Sequence, residues 1–361
     1  MTSSFSDTAP ARWRIAALVV VVPLFFLSVS GYAQSIVQDS ADYVVFDVPN
    51  AVGTQASAIN NHREVAGYFV DATSNKTRAF LRERKGTIIT FDVPNSSYTT
   101  PSRMNDRGDI AGTFGDPVQN NICHGFVRHR EGDFVVFDPP NSLCTSVSGI
   151  NDDGVIAGYF FTPNRVRGYV RQADGTMTVF DAPNSNTTVP GGMNERGDVA
   201  GIFVDQVGEH GFVRSVAGDF VIFDAPNTPP AQICQVAGIN KRGDVAGAFS
   251  DGPNECGSAH EFIRSSSGDI IVFDIPNTVG GNGSVGITDR AEDGGLWNDI
   301  NTTHGFVREP DGDLILFDVG GAEPPDGTTP QSINDAGDIC GYTDQATSLG
   351  ITRRAFIRIA Q

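Results

Sequence analysis

The tetrapeptide Val-Val-Phe-Asp at 44–47 decides the fold, because close variants of it return along the whole chain. Each variant keeps Phe-Asp and places aliphatic or β-branched residues before it. The seven phenylalanines are Phe46, Phe91, Phe137, Phe180, Phe223, Phe273 and Phe317. Successive copies are 43 to 50 residues apart and account for almost all of the chain beyond residue 40. A period of this length is typical of repeat architectures.

Further landmarks follow Phe-Asp in the same order in each repeat. Pro-Asn comes next in six repeats, then Ile-Asn or Met-Asn, then a turn such as Arg-Gly-Asp-Val-Ala-Gly at 196–201, and finally Gly-Phe-Val-Arg or a variant. Short apolar runs bounded by turn-forming residues predict strands. We predict four strands per repeat, named a to d. In one repeat, strand a ends near Ile150, b covers about 155–160, c about 167–171 and d about 176–181.

Four strands in about 43 residues are typical of one blade of a β-propeller. No window shows the apolar period of a helix. The repeated region opens with a d-type strand at 43–47 and ends with a c-type strand at 354–358. Pairing these two strands covers two sheet edges that would otherwise invite aggregation. We therefore predict an all-β fold over 41–361: a seven-bladed β-propeller with four-stranded antiparallel blades, closed where the N-terminal strand pairs with the C-terminal unit.

The N-terminus differs from the rest of the chain. Arg12 and Arg14 precede an apolar stretch at 15–29, and small residues follow it. This is the layout of a secretory signal, and the stretch is shorter than the ~20 residues that span a bilayer. We predict a cleaved signal peptide over 1–33, with a retained anchor as the alternative, and a linker over 34–40. The mature protein is expected to be secreted, or periplasmic or at the cell surface, without a membrane span.

Composition limits the partners. The net charge is −18, so the chain lacks the basic surface that neutralises phosphates, and we predict no nucleic-acid partner. An unidentified protein or glycan is the expected partner, and a monomer the expected state. A phosphate loop, a Gly-x-Ser-x-Gly elbow, a His-Glu-x-x-His helix and a Cys-x-x-Cys pair are all missing from the sequence. We accordingly predict no cofactor and no catalytic residues.

Export makes disulfides plausible for the five cysteines. Cys123 and Cys144 are 21 residues apart, and Cys234 and Cys256 are 22 apart. In the blade arrangement, each pair has one member in a b–c connection and one in a d–a connection, and alternating strand direction places these connections on one face. We predict the disulfides Cys123–Cys144 and Cys234–Cys256. Cys340, in a b strand, is left as a buried free thiol, with a reactive thiol as the alternative.

The recurring pattern Gly-Ile-Asn…Gly…Ala-Gly…His-Gly-Phe-Val-Arg, seen at 149–151, 201 and 210–214, resembles the extracellular HAF-repeat family. The repeats of that family carry Gly-Ile-Asn…Gly…Val-Gly…His-Ala-Phe. Here Gly usually replaces the middle Ala, and Val-Arg replaces the usual Leu-Trp. The resemblance implies a secreted β-repeat protein whose chemistry is unassigned.

Charged residues also recur once per repeat. Histidines precede strand c's aromatic residue in four repeats, where the other three have arginine: His124, His210, His260 and His304. Equivalent positions in different blades are spread around a ring and cannot converge within the ~2 Å of one point that a metal requires, so we predict no metal site. The arginine that ends strand c and the aspartate after Phe, such as Arg128 and Asp138, are predicted to meet across the c–d hairpin as structural salt bridges or turn caps.

The residues that face the axis of the ring matter most for function, because only a strands from different blades meet there. The position before the last Ile or Met of strand a is small in six repeats: Ala58, Gly149, Gly192, Gly238, Gly286 and Ser332. The seventh is Arg103. No Asp, Glu or His cluster occurs at these positions, which argues against axial acid–base catalysis. Arg103 is a candidate contact for an anionic ligand, with a salt-bridged channel arginine as the alternative.

Together these patterns favour an exported binding or scaffolding module at or outside the cell surface over an enzyme. The b–c and d–a loops vary most, so the face they share is the expected binding surface. One alternative is a secreted carbohydrate-active hydrolase or lyase, which needs an acidic pair converging from those loops, with Asp116, Asp205 and Asp251 as candidates. A second alternative is a surface repeat protein with a purely structural role.

Overall fold

The structure, a computed structural model, describes residues 35–119, 122–226, 232–250, 259–279, 281–320, 327–347 and 350–361. The predicted signal peptide, 1–33, lies outside these residues. Within them the chain forms strands and no helix, which confirms the all-β prediction. The described residues accordingly include no helix that is long and apolar enough to cross a membrane.

Two short strands, β1 (Ile36–Val37) and β2 (Asp42–Phe46), precede seven groups of strands that we call units one to seven. Unit one contains β3 (Ala51–Ile59), β4 (Val65–Asp71), β5 (Thr77–Arg82) and β6 (Ile88–Phe91). Unit two contains β7 (Thr99–Met104), β8 (Ile110–Gly115), β9 (Cys123–Arg128) and β10 (Phe134–Phe137). Unit three contains β11 (Cys144–Ile150), β12 (Ile156–Phe161), β13 (Val166–Arg171) and β14 (Met177–Phe180).

The remaining units repeat this order. Unit four contains β15 (Thr187–Met193), β16 (Val199–Val204), β17 (Glu209–Arg214) and β18 (Phe220–Phe223). Unit five contains β19 (Ile233–Ile239), β20 (Val245–Ser250), β21 (Ala259–Arg264) and β22 (Ile270–Phe273). Unit six contains β23 (Gly283–Ile287), β24 (Asp293–Asn298), β25 (Thr303–Arg308) and β26 (Leu314–Phe317). Unit seven contains β27 (Gly327–Ile333), β28 (Ile339–Thr347) and β29 (Gly350–Ile359).

Strands pair antiparallel within each unit, in the predicted order a–b–c–d. Units two to four are nevertheless joined into one twelve-stranded sheet, which corrects the prediction of separate four-stranded blades. The junctions are single parallel pairs, Cys144 with Cys123 and Thr187 with Val166. They form because the connection into each a strand runs beside the start of strand c in the preceding unit.

The fourth strand of unit seven comes from the other end of the chain. β2 pairs antiparallel with β29, from Asp42 opposite Ile359 to Phe46 opposite Ala355. The predicted pairing of the first and last strands of the repeated region is thus confirmed.

The segment predicted as a linker, 34–40, also contributes contacts. β1 pairs in parallel with β26 and makes unit six a five-stranded sheet. Just beyond it, Asp39 accepts a hydrogen bond of 2.6 Å from the buried Arg358 of β29. A strand of two residues has too little sequence pattern to be predicted.

Aromatic residues fill the contacts between units. The c-strand aromatic residue of one unit packs against the d-strand phenylalanine of the unit before it, as Phe212 does against Phe180 at a centroid distance of 6.3 Å. In four units, strand c carries glycine next to that aromatic residue because strand d lies close. A Cβ on Gly211 would lie 2.2 Å from the Phe223 ring. The aromatic residue of the Gly-Phe motif and the phenylalanine of the Phe-Asp motif therefore pack together in the core.

A ladder of hydrogen bonds runs through the turns between strands a and b. In six units the turn asparagine donates its side-chain amide to a main-chain carbonyl of the following unit, as Asn60 does to Asn105 and Asn105 does to Asn151. The other donors are Asn151, Asn194, Asn240 and Asn334. The unit-seven bond returns to Asn60 of unit one. The recurrent Ile-Asn and Met-Asn motifs thus link neighbouring units.

Every a strand contains a β-bulge three residues before its ladder asparagine or the equivalent Thr288. At this place the pairing of strands a and b skips one residue in each unit: Ser57, Ser102, Ser148, Gly191, Ala237, Val285 and Gln331. Units one and five each skip a further residue near the start of strand a. A bulge bends its strand and re-aims the adjoining side chains. The bend therefore sets which side chains of the a strands point into the space between the units.

Candidate functional site

The a strands of six units line one cavity of about 600 Å³. Five units contribute these bordering residues: Arg103 from unit two, Ser148 from unit three, Gly191 from unit four, Val285 from unit six and Gln331 from unit seven. The lining from unit five is 234–237. A volume of this size is that of a small-molecule site, and six separate units contribute to it.

Small residues beside the bulges allow the a strands to approach one another. The six predicted small residues and Arg103 all lie opposite strand b directly after a bulge, as Gly192 does opposite Ala200. A Cβ on Gly192 would lie 2.9 Å from the Cα of Gly238 in the next unit, which leaves no room for a side chain. Neighbouring a strands are therefore crowded at this position. Arg103 lines the cavity, but the six small residues do not. Five bulge residues line it instead, and the sequence pattern did not predict them: Ser148, Gly191, Ala237, Val285 and Gln331.

Arg103 is the only Lys, Arg or His among the residues that line this cavity. Its Nε donates to the carbonyl of Ser148, and its Nη1 donates to the carbonyl of Ser102, each at 2.9 Å. Among the described residues, no carboxylate lies within 4.0 Å of the guanidinium, so the salt-bridged alternative finds no partner there. Burial lowers the pKa of Arg103, against a smaller opposing effect of Cys340 and Tyr159.

The turns between strands a and b surround a second, smaller cavity of about 140 Å³. Acidic side chains here accept main-chain N–H groups from the preceding unit, as Asp106 does from Asn61 and Glu195 does from Asp152. Burial, together with neighbouring carboxylates, raises the pKa of Glu195. An acidic residue follows the ladder position in five repeats, and this recurrence is the sequence signal from which these contacts could have been predicted.

These carboxylates already accept hydrogen bonds from main-chain N–H groups of the turns. Across the described ranges, no group of three or more His, Cys, Asp and Glu side chains is arranged to hold a metal ion. The arrangement caps the turns of successive units and gives this end of the fold a negative charge.

Each strand-c histidine pairs with the aspartate after Phe, and the arginine at this position does the same in the other units. His210 Nδ1 lies 2.6 Å from Asp224, and its Nε2 lies 3.2 Å from Asp205. The ring also stacks on Phe203 at a centroid distance of 5.0 Å. Arg167 takes the same position in unit three and binds Asp181 at 2.8 Å. The four histidines are spread over four units and do not form a common site.

The predicted partner of the aspartate after Phe was wrong. Asp138 binds His124, at the open end of the c–d hairpin, rather than Arg128. In the register of this hairpin Phe137 lies opposite Gly125, so Asp138 faces His124, and Arg128 lies at the other end opposite Phe134. The antiparallel pairing therefore separates the two residues that were predicted to meet.

The strand-c arginines instead bridge neighbouring units. Arg128 lies 4.9 Å over the ring of Phe91, the d-strand phenylalanine of unit one. The equivalent arginines all lie 4.8 to 5.2 Å over such a ring: Arg82, Arg171, Arg214, Arg264, Arg308 and Arg358. Arg82 of unit one lies over Phe46 of β2, the fourth strand of unit seven. Each contact is a cation–π interaction that joins consecutive units.

The acidic loop residues proposed for an enzyme are engaged within their own loops. Asp116 accepts the N–H groups of Val118 and Gln119 at 2.7 Å each, and Asp205 accepts that of Val207 at 2.6 Å. These hydrogen bonds lower the pKa of both carboxyl groups and hold them ionised. Asp251, the third candidate, lies outside the described residues.

The cysteines agree with the predictions as far as the described residues reach. Cys123 and Cys144 form a disulfide, with their Cα atoms 4.3 Å apart. Cys234 is disulfide-bonded as well, and its predicted partner, Cys256, lies outside the described residues. Cys340 is a buried free thiol, and burial raises its pKa, which argues against the reactive alternative.

No family model and no curated protein matches this sequence. Solved structures resemble the fold. Virginiamycin B lyase from Staphylococcus aureus, solved with quinupristin, is 14% identical with a TM-score of 0.57 over 89% of this chain and 100% of that chain. A puromycin hydrolase is 12% identical with a TM-score of 0.55 over 86% of this chain and 54% of that chain. YCF48 bound to D1 peptide is 10% identical with a TM-score of 0.50 over 91% of this chain and 100% of that chain. At such identities the likeness concerns the fold alone, which is all-β and β-propeller-like.

Proposed function

We propose that this chain is an exported, closed seven-bladed β-propeller that acts as a binding module and holds its ligand in the axial cavity. The seven units are its blades. Residues 1–33 are its signal peptide, and the mature protein is secreted, or periplasmic or at the cell surface. A disulfide in the fold is compatible with an oxidising compartment. The pattern that resembles the HAF repeats agrees with this location.

One strand pairing and two contacts between unit seven and unit one support the closed ring. β2 completes unit seven by pairing with β29. Asn334 donates to the carbonyl of Asn60, and Arg82 lies over Phe46. The strand pairing repeats the c–d pairing of the other units, and the two contacts repeat interactions found between consecutive units, as expected if unit one is also the neighbour of unit seven.

The observation that carries the binding proposal is the guanidinium of Arg103, which borders the shared cavity and has no carboxylate partner among the described residues. A charged side chain at a crowded axis costs stability unless it gains a partner, and the six other repeats avoid that cost with small residues. Functional sites are the places where such locally unfavourable choices are kept. The carboxylates of the variable face, by contrast, are engaged in their own loops.

An array of peptides and glycans, probed with the mature protein, tests this proposal. Gln235 borders the cavity and is exposed, so Gln235→Trp should obstruct it without disturbing the core. Val221→Trp, on the exposed face of the outer strand β18, is the matched control. We expect array signals that disappear with Gln235→Trp and persist with Val221→Trp.

Signals that persist in Gln235→Trp would contradict axial binding. Turnover of a polysaccharide would favour the secreted carbohydrate-active hydrolase or lyase instead. A clean array, without binding to either class, would favour the purely structural role.

A further inference from the structure

We propose that the axial cavity recognises a small aliphatic carboxylate, bound through Arg103. This inference rests on the proposed axial binding and adds the chemical class of the ligand. It follows from the unused hydrogen-bonding capacity of one side chain and from the kinds of groups around it.

The guanidinium is fixed in orientation and incompletely bonded. The carbonyls of Ser148 and Ser102 accept from Nε and Nη1 at 2.9 Å each. These contacts hold the plane of the group, while Nη2 has no hydrogen-bond partner among the described residues. An arginine stays charged at any physiological pH, so carbonyl oxygens satisfy its donors without neutralising its charge. An entering anion supplies both the missing acceptor and the opposite charge.

The charge of the site fits a monoanion. Arg103 is the sole cation among the lining residues, and one nitrogen remains available on it. A phosphate dianion needs more positive charge than this, whereas a carboxylate matches a single cation. Neutral polar groups from Gln235, Gln331 and Tyr159 border the same space and add hydrogen-bonding capacity without changing the charge.

Apolar residues form part of the remaining lining, beside polar ones such as Asn282 and Ser284, and they fit an aliphatic body. Units four and six contribute five aliphatic side chains to the border of the cavity: Val189, Pro190, Ile202, Val285 and Leu296. Tyr159 is the only aromatic residue among those that line it. Sugar rings are usually held on aromatic faces, so this lining favours hydrocarbon over a glycan. Two sources supply such a ligand: a free short-chain carboxylic acid, or the carboxyl terminus of a peptide that ends in an aliphatic residue.

Calorimetric titration with four probes tests the inference: hexanoate, hexanamide, the tripeptide Ala-Ala-Val, and the same tripeptide with an amidated C-terminus. We expect the wild-type protein to bind at least one acid about tenfold or more tightly than its amide, since a hydrogen bond to a charged group is at stake. The acid that binds identifies the source. Arg103→Ala should abolish the preference, and Arg103→Lys should restore part of it.

The melting temperature of Arg103→Ala is the control for correct folding. Alanine is tolerated at the equivalent position of unit one, where it is Ala58. Arg103→Ala should therefore keep the wild-type melting temperature. Equal binding of acid and amide, or unchanged acid binding in Arg103→Ala, would overturn the carboxylate and leave axial binding intact. Acid binding that persists in Gln235→Trp would overturn the axial site itself. No binding of any probe would overturn the inference, while the array would still decide the proposed function.

Discussion

The side-chain amide of Asn334 donates a hydrogen bond to the main-chain carbonyl of Asn60 at 2.9 Å, although 274 residues separate them in sequence. The same atoms of Asn240 and Thr288, which belong to adjacent units, are 3.0 Å apart. Matching geometry at the two places is what a ring requires. In an open stack of repeats, the first and last units would each lack a neighbour on one side.

Replacing the two asparagines tests this equivalence. Both also accept two main-chain N–H groups in their own turns, so Asn334→Ala and Asn240→Ala remove the same set of bonds. We predict that each variant lowers the free energy of unfolding by about 1–3 kcal/mol, as expected for buried hydrogen bonds. Urea unfolding measures both values. A much smaller loss for Asn334→Ala than for Asn240→Ala would indicate that units seven and one do not meet.

Unit six contains a buried acidic pair that should make stability depend on pH. Asp293 and Glu261 are both fully buried, and the hydroxyl of Ser284 lies between them, 2.7 Å from Asp293 and 3.2 Å from Glu261. Burial raises the pKa of both carboxyl groups, that of Asp293 to about 8, and Asp293 further raises that of Glu261. The folded state thus keeps protons that the unfolded chain releases, and its stability falls as the pH rises from about 4 towards 8.

The variant Asp293→Asn removes one of the carboxyl groups that hold a proton in the folded state and release it on unfolding. We predict that it flattens the fall in unfolding free energy between about pH 5 and pH 8, where each retained proton is equivalent to about a tenfold change in the folding equilibrium per pH unit. Asp269→Asn removes a negative charge from an exposed turn and should leave the slope unchanged. Equal slopes for wild type and Asp293→Asn would show that the buried pair is ionised in the folded protein.

The protonation of His210 should affect stability in the same pH range. Burial opposes its protonation, but Asp224 and Asp205 together raise its pKa above 6.5. A raised histidine pKa contributes stability below about pH 6.5, and this contribution is lost as the pH rises through the folded value. His210→Gln should therefore destabilise the protein more at about pH 5 than at about pH 9.

The chain supplies the matched variant for this histidine. Arg78, Arg167 and Arg354 occupy the same position in other units and bind the equivalent aspartates. His210→Arg should keep the ion pair at both pH values. An NMR titration of the wild type should place the midpoint of His210 above 6.5, and a midpoint below that value would contradict the assignment.

The disulfide Cys123–Cys144 should stabilise the junction between units two and three. It closes a loop of 21 residues, for which the loop-entropy treatment gives about 3 kcal/mol. We predict a loss of that size for the double variant Cys123→Ser/Cys144→Ser, measured by urea unfolding. Peptide mapping without reduction should show this pair linked and Cys340 as a free thiol. A linkage that involves Cys340 would contradict the burial of that residue.

Much of the fold follows from the repeat itself. Strand order, the pairing of β2 with β29 and the small residues where neighbouring a strands meet could all be predicted, because each depends on a pattern that recurs along the chain. The bulges could not, since an extra residue such as Ser148 leaves no mark on short strands. The partner of Asp138 was predicted wrongly because the choice depends on the exact register of the hairpin rather than on its existence.

The features that the repeat could not predict lie at residues that depart from the repeat pattern. Asp293 stands where other units have a buried Val or Ile, and Glu261 stands where most have glycine. Each substitution is unfavourable alone, and only the structure shows that the two face each other. Arg103 is the one departure that could be recognised from the sequence, because a large charged residue among glycines contradicts the crowding that explains its neighbours.

A crystal structure of the mature protein with the tightest-binding carboxylate probe tests the closed ring and its axial site most directly. We predict seven blades in a closed ring, with the carboxylate within hydrogen-bond distance of Arg103 Nη2 and its hydrocarbon between Ile202 and Leu296. An open array of units, or a ring whose probe lies on the outer surface while the axial cavity holds only water, would contradict both proposals.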